Sequence, residues 1–254
     1  MKQKNRKRIG IIMTVLGIDT SNKALGVVLG EEQNLISSYY SQASKNHSET
    51  LMPAIDFCVR ESRLAPTDIT KIIVAKGPGS YTGLRIGVTT AKTLSWSLNA
   101  SLYAVSSLAC LAKNIQQTTK LIVPFMDARR DFLYTGAYTY EGSQLVNVIE
   151  DQYISFESWT NILLEQDKTI VFVGEDLGKL QGLFDAFSQK VDIDLVIQPS
   201  NPAVMLELEH LMEEITDVDA FVPTYLKKVE AEEEWLKRQH GKVVETQSYV
   251  ERLS

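Results

Sequence analysis

The stretch KGPGSYTGLRIG, residues 76–87, has the composition of a loop that wraps a phosphate group. In a catalytic P-loop, GxxxxGK[ST], a lysine reaches the outer phosphates and a hydroxyl binds magnesium. This stretch lacks the lysine at that place. It therefore predicts a strand-to-helix turn at Gly77, Pro78 and Gly79, with Ser80 capping the helix that follows.

Two aspartates, Asp19 and Asp127, each follow a predicted strand and begin a hairpin turn. In actin-like ATPases an aspartate at the first hairpin holds a hydrated metal, while glycine backbone groups wrap the phosphates. The turns here, DTSNK and DARRD, contain no glycine that would let the backbone approach a phosphate. We therefore interpret Asp19 as an Asx-type cap of its turn. A small ATPase or kinase that uses both aspartates, or a vestigial nucleotide site, remains the alternative.

The histidines and cysteines indicate neither a metal site nor a redox site. His47, His210 and His240 are far apart, and the sequence has no HxxxH or HExxH pair. Cys58 and Cys110 lie on apolar stripes without a cysteine or histidine partner nearby, which is typical of reduced core residues in a cytoplasmic protein. A protease has no support either, since no nucleophile and base are paired.

Two glycines inside the predicted helix require compensation. Gly83 and Gly87 each cost roughly 0.5–1 kcal/mol relative to alanine. They share one arc of the helix with Leu84 and Val88. The pattern predicts that this arc packs closely against the sheet of the same protein.

The opposite face of that helix is poor in charge. It carries Ile86, Thr89, Thr90, Thr93 and Trp96, with only Arg85 and Lys92 charged. On the preceding helix, Leu51, Met52, Ile55, Cys58 and Val59 form the predicted core stripe, and Phe57 and Leu64 stand on the far side. Two adjacent helices with half-apolar outer faces predict a protein–protein interface.

The order of predicted elements occurs twice. The first copy has strands at 15–19, 24–30, 35–41, 72–75 and 102–105, and helices at 50–64, 81–98 and 106–117. The second copy has strands at 121–127, 132–140, 144–150, 169–173 and 195–197, and helices at 155–166, 177–189 and 203–215. Two β-β-β-α-β-α-β-α units predict an α/β duplicated fold of the actin-like, RNase-H-like group, with subdomains 13–117 and 118–217.

The ends of the chain fall outside this pattern. Residues 1–12 are interpreted as a disordered basic extension, because Met13 stands directly before the first strand and no cleavage site follows the apolar run. The extension contributes five of the positive charges, so the formal net charge of −6 becomes −11 for the remainder. Such a body disfavours nucleic-acid binding by itself. No apolar run is long enough to predict a membrane span, and residues 218–254 are interpreted as a segment and tail.

Several motifs together resemble the bacterial TsaB (YeaZ) family, which is related to TsaD. They are VLGIDTS, NHSETLMP, KGPGSYTGLRIGVTTAKTL, YAVSSL, MDARRDFLYTGAY and PTYLKK, in the family's order, over residues 15 to about 228. The resemblance implies a non-catalytic partner of TsaD. With the ATPase TsaE, the two place threonylcarbamoyl on the adenosine next to the anticodon of tRNAs that read codons beginning with A.

The resemblance also implies how the subunits meet. The helix of the glycine-rich motif and the helix before it would pack against the matching pair of TsaD, and family members alone would form homodimers through the same surface. Metal would belong to TsaD and ATP use to TsaE, so no cofactor is expected on this chain, and tRNA would be reached only through the complex.

Overall fold

Two mixed β-sheets organise the chain, one of six strands and one of five, and five strands of the first follow the same order as those of the second. The computed structural model describes residues 13–42 and 46–227. The predicted basic extension, 1–12, and most of the predicted tail lie outside these described residues. No helix within the described ranges is long and apolar enough to cross a membrane.

The first sheet has the strand order β11-β5-β4-β1-β2-β3. Its strands are β1 (Thr14–Asp19), β2 (Leu25–Glu31), β3 (Asn34–Ser41), β4 (Ile69–Gly77), β5 (Ser101–Ser106) and β11 (Glu213–Glu214). The first three strands form an antiparallel meander, and β4 and β5 run parallel to β1. Because β1 and most of β2 and β4 are buried on both faces, they are built from nearly continuous apolar residues.

The second sheet repeats the arrangement in the order β10-β9-β6-β7-β8. Its strands are β6 (Leu121–Asp127), β7 (Phe132–Glu141), β8 (Gln144–Ser155), β9 (Ile170–Gly174) and β10 (Ile193–Ile197). Again a meander of three strands is followed by two strands parallel to the first. The repeated order and direction confirm the predicted duplicated α/β fold of the actin-like group.

The helices complete a layered structure. They are α1 (His47–Ser62), α2 (Tyr81–Leu98), α3 (Ser107–Lys113), α4 (Phe156–Leu164) and α5 (Gln181–Ser188). One core joins α1 and α2 to the outer face of the first sheet, and another joins α4 and α5 to the outer face of the second. The third core lies between the two sheets around α3.

The predicted helix at 203–215 is wrong. Residues Pro202–Glu207 and Glu209–Leu211 form two 3₁₀ turns, and β11 follows and pairs with β5 of the first sheet. The reason is packing, because Val204, Met205, Leu206 and Leu208 are all buried. An α-helix with one inward face could not bury four such closely spaced residues. The end of the predicted subdomain 118–217 therefore packs on the first sheet.

Candidate functional site: the glycine block, the cleft and the α1–α2 face

Residues 76–87, called the glycine block below, form the predicted capped turn. Gly77 has a φ of +119°, in the region that favours glycine, and its bond to Pro78 is cis. The Ser80 side chain accepts a hydrogen bond from the amide of Gly83 at 3.3 Å. The helix α2 begins directly after this cap, as its sequence predicts.

The glycines bring α2 against the β1–β2 turn, and not only against the sheet. A Cβ on Gly79 would lie 2.1 Å from the Ser21 carbonyl oxygen, and one on Gly83 would lie 2.1 Å from that of Thr20. The Thr20 hydroxyl donates to the Gly83 carbonyl at 2.7 Å, and the Ser80 amide donates to the Ser21 carbonyl at 2.7 Å. The start of α2 and the β1–β2 turn are thus packed directly against each other.

Both predicted aspartates serve their own turns. Asp19 is buried and accepts hydrogen bonds from the Ser21 amide at 2.9 Å and the Ser21 hydroxyl at 2.6 Å. Burial raises the pKa of Asp19, and the two bonds from Ser21 partly oppose that shift. Asp127 is exposed and accepts from the Arg129 amide at 2.7 Å. Both therefore have the geometry of Asx-type caps.

The cleft between the two halves is closed by side chains that the sequence analysis missed. Lys23 of the β1–β2 turn forms an ion pair with Asp176, which follows β9. Next to it, Glu175 accepts from the Ala24 amide at 3.4 Å. Burial first, and then the charge of Asp19, raise the pKa of Glu175 to about 7. The local sequence signal for these contacts is GED, residues 174–176, directly after a buried strand. The same pattern would be expected of an ordinary loop, so it does not predict the bridge.

The carboxylates of the cleft do not form a metal site. Within the described ranges, no three His, Cys, Asp or Glu side chains are grouped so that they could hold an ion. A nucleotide phosphate entering here would meet Asp19, Glu175 and Asp176, with Lys23 already paired. The arrangement favours a structural bridge over phosphate binding.

The outer surface of α1 and α2 is the second candidate site. We call it the α1–α2 face and define it by seven residues, Met52, Phe57, Ile86, Thr89, Thr90, Thr93 and Trp96. The Trp96 side chain is 76% exposed and that of Phe57 is 41% exposed. Ile86 and Thr90 are half-buried, and Thr89 and Thr93 are exposed. The predicted face therefore exists, with its largest side chain in solvent.

Two residues of the predicted helix 50–64 differ from the prediction. Met52, predicted on the core stripe, is 50% exposed. Leu64, predicted on the face, is half-buried and packs against the core, as Ile86 does, and it lies beyond the end of α1. The reason is that α1 ends at Ser62 and Arg63 adopts a left-handed conformation, so the chain turns away before Leu64.

Polar groups on α2 form hydrogen bonds within the protein, so burying the α1–α2 face in an interface would cost little desolvation energy. The Thr93 hydroxyl donates to the Thr89 carbonyl at 2.9 Å, so it is satisfied within the helix. Lys92 turns toward the C-terminal segment and donates to the carbonyls of Asp219 and Phe221, each at 2.9 Å. Lys92, one of the two charges that the sequence places on this face, is therefore directed elsewhere, and the other, Arg85, lies over the Tyr81 ring. Both arrangements lower the cost of burying the face.

The C-terminal segment, residues 218–227, is attached to the glycine block. The Thr224 amide donates to the Lys76 carbonyl at 2.7 Å. A Cβ on Gly77 would lie 2.5 Å from the Thr224 carbonyl oxygen, so only glycine fits there. The Tyr225 ring lies 5.0 Å from the Tyr81 ring. The segment lies outside the duplicated sequence pattern, but it contributes the motif PTYLKK and contacts the glycine block.

The fold and the site together define a protein of the actin-like group. Its β1–β2 turn is bonded to α2, and its α1–α2 face is exposed to solvent. A family profile described as "TsaD: tRNA N6-adenosine threonylcarbamoyltransferase" matches residues 36–235. The chain is 42% identical over 228 residues to the "tRNA threonylcarbamoyladenosine biosynthesis protein TsaB" of Bacillus subtilis (strain 168), covering 89% of this chain and 100% of that protein. The chain belongs to the TsaB (YeaZ) family.

Two further comparisons agree with this assignment. The Haemophilus influenzae protein of the same name is 25% identical over 232 residues, covering 85% of this chain and 94% of its own. A solved structure titled "YeaZ from Pseudomonas aeruginosa" superposes with a TM-score of 0.72 at 24% identity, covering 85% of this chain and 100% of that one. The latter likeness concerns the fold.

Proposed function

We propose that this chain is a non-catalytic subunit in the biosynthesis of threonylcarbamoyladenosine in tRNA, and that it acts by pairing with a TsaD-type subunit. The names of its Bacillus subtilis and Haemophilus influenzae relatives support the pathway. The observation that carries the mode of action is the α1–α2 face, a surface of apolar and hydroxyl side chains centred on Trp96, with the Asp56–Arg60 ion pair beside it. Pairing would take place in the cytoplasm, with a TsaE-type ATPase as the third component.

The non-catalytic role is supported by the cleft. In an actin-like ATPase the first hairpin must receive phosphate and metal, whereas here the β1–β2 turn is bonded to α2 through Thr20 and Ser21. Asp19 is engaged by Ser21. These contacts would have to break before a nucleotide could bind. The ATPase alternative therefore predicts tight Mg-ATP binding that Asp19→Asn weakens, and the proposal predicts no tight binding in calorimetry.

The interface is tested by measuring the affinity of the purified chain for the TsaD-type subunit of the same cell. In Phe57→Glu and Trp96→Glu, a carboxylate is buried without a partner on association, which we expect to weaken binding by roughly 100-fold or more. Both side chains are exposed in the free protein, so the fold tolerates the change. Ile86→Glu acts in the same direction, but Ile86 also packs on the core and its variant needs a check of thermal stability.

The matched control is Leu164→Glu, because Leu164 is 52% exposed on α4, in the other half of the chain. It should bind like the wild type. Equal affinity of the two face variants and the wild type would refute the interface. The face also predicts a homodimer of the isolated chain, which the same variants should convert to monomer in sedimentation experiments.

A further inference from the structure

A row of aromatic rings and cations crosses from α2 to the second sheet, outside the cleft and the α1–α2 face. We call it the aromatic strip and define it by five rings and two cations: Tyr81, Tyr225, Tyr153, Phe132 and Tyr134, with Arg85 and Lys227. The Tyr81 and Tyr225 side chains are 48% and 37% exposed. The other three rings are half-buried.

Ring and cation contacts join the members of the strip in two groups. The Arg85 guanidinium lies 4.9 Å from the centre of the Tyr81 ring, and the Tyr81 and Tyr225 rings are 5.0 Å apart. Lys227 Nζ lies 5.5 Å from the centre of the Tyr153 ring. The Cα atoms of Tyr225 and Lys227 are at most about 7 Å apart, because only one residue separates them. The C-terminal segment therefore connects the two groups.

The second group is a stack on the edge of the second sheet. Phe132 and Tyr153 are stacked, with ring centres 4.7 Å apart and an angle of 17° between their planes. The Tyr134 ring lies 5.7 Å from Tyr153. These rings sit on β7 and β8, the last two strands of the sheet, so they are fixed by backbone pairing.

The turn that leads into Phe132 has an unusual backbone. Arg129, Arg130 and Asp131 have φ angles of 68°, 54° and 61°, and all three are exposed. Residues other than glycine rarely adopt this left-handed region. The turn is fastened by the bond from the Arg129 amide to Asp127 and by the bond from the Phe156 amide to the Asp131 carbonyl, at 2.7 and 2.8 Å. Arg129 and Arg130 belong to this turn and precede Phe132 in the chain.

We propose that the aromatic strip binds unpaired RNA, and that the RNA is the tRNA on which the proposed complex acts. Unpaired bases stack on aromatic rings, and phosphates pair with arginine and lysine. The strip has a cation at two places along its five rings, Arg85 beside Tyr81 and Lys227 beside Tyr153. The acids next to its turn are Asp127, which bonds to the Arg129 amide, and Asp131. The α1–α2 face, which consists of apolar and hydroxyl side chains, has the composition of a protein contact instead.

The charge of the whole chain sets the expected strength. The formal net charge is −6, so long-range attraction to RNA is weak. Binding should depend on the rings more than on ionic steering, and it should be modest for the isolated chain. Weak RNA binding by the isolated chain agrees with the sequence-based expectation that tRNA is held only within the complex, where the other subunits supply further contacts.

The test is fluorescence anisotropy of a labelled RNA hairpin with an unpaired loop, with the full chain at low salt. Tyr81→Ala and Tyr225→Ala should each weaken binding about tenfold, and Tyr81→Phe should restore it, because the ring and not its hydroxyl stacks. Lys227→Gln should lower the slope of log affinity against log salt by about 0.7. Leu164→Ala and Val148→Ala, at exposed apolar residues outside both the strip and the α1–α2 face, should bind like the wild type.

Several results would overturn the proposal. They are no binding of the hairpin by the wild type, equal affinity of all variants, or equal affinity for the hairpin and for a duplex without a loop. If Tyr81→Ala and Tyr225→Ala keep RNA affinity but lose the TsaD-type subunit, the strip is a protein interface and the RNA assignment is wrong. The affinity measured with Phe57→Glu and Trp96→Glu is independent, so the subunit role can stand if the RNA proposal fails.

Discussion

Replacing Gly83 by alanine tests the close contact between α2 and the β1–β2 turn. A Cβ at this position would lie 2.1 Å from the Thr20 carbonyl oxygen, where no real Cβ could stay. The obstacle is backbone and not a flexible side chain, so α2 or the turn must move. Such overpacking costs typically about 1–3 kcal/mol.

Other terms modify this number. The Thr20 hydroxyl donates to the Gly83 carbonyl in a buried site, and weakening that bond costs about 1 kcal/mol. Alanine recovers roughly 0.5–1 kcal/mol of helix propensity relative to glycine. The expected net loss is about 2 kcal/mol of unfolding free energy. For a domain of this size it corresponds to a fall in Tm of about 4–8 °C.

The assay is thermal and urea unfolding of Gly83→Ala beside Gly182→Ala. Gly182 lies in α5, and a Cβ there would have nothing within 4 Å. Its substitution should therefore be neutral or raise the unfolding free energy by up to about 1 kcal/mol. If Gly83→Ala is as stable as Gly182→Ala, the close approach of α2 to Thr20 is wrong.

Two further outcomes concern the cap and the cleft. Ser80→Ala removes the acceptor of the Gly83 amide and should cost about 1 kcal/mol in urea unfolding, whereas Ser80→Asp should keep most of the stability; equal losses in both would contradict the capping role. The raised pKa of Glu175, about 7 against an ordinary 4.5, means that the folded protein holds this proton more tightly than the unfolded chain. Stability should therefore fall as pH rises from about 4.5 to 7, on the order of 1–3 kcal/mol from this group, and Glu175→Gln should show a smaller fall over the same range. An unchanged slope would mean that Glu175 is ionised in the fold.

The sequence predicts helices and strands well where the hydrophobic periodicity ends at a capping or turn residue. The bounds of α2 follow from Ser80 before it and a charge-poor apolar arc within it, and β6 from its unbroken apolar run ending at Asp127. The capped turn and the duplication were predicted on the same grounds. These features depend on residues that are near one another in sequence.

What the sequence did not predict depends on distant residues. The 3₁₀ turns at 202–211 arise because Pro202, Met205 and Leu206 pack against β1 and β2 of the first sheet, and the pairing of Lys23 with Asp176 joins residues far apart in sequence. The role of the glycines was predicted as packing on the sheet, but the contact with Thr20 needs the β1–β2 turn in place. Leu64 differs from its prediction because α1 ends two residues before the predicted end, and Met52 differs because it stands at the exposed edge of the apolar stripe of α1.

The most direct measurement of the central claim is the threonylcarbamoyladenosine content of tRNA in a reconstituted reaction. The reaction contains the TsaD-type and TsaE-type proteins of the same cell and either wild-type chain, Asp19→Asn or Trp96→Glu. Asparagine can still cap the β1–β2 turn, so Asp19→Asn should support modification like the wild type, and Trp96→Glu should lose it. Loss of modification in Asp19→Asn with full activity in Trp96→Glu would contradict the account, because the cleft, and not the α1–α2 face, would then be required for modification.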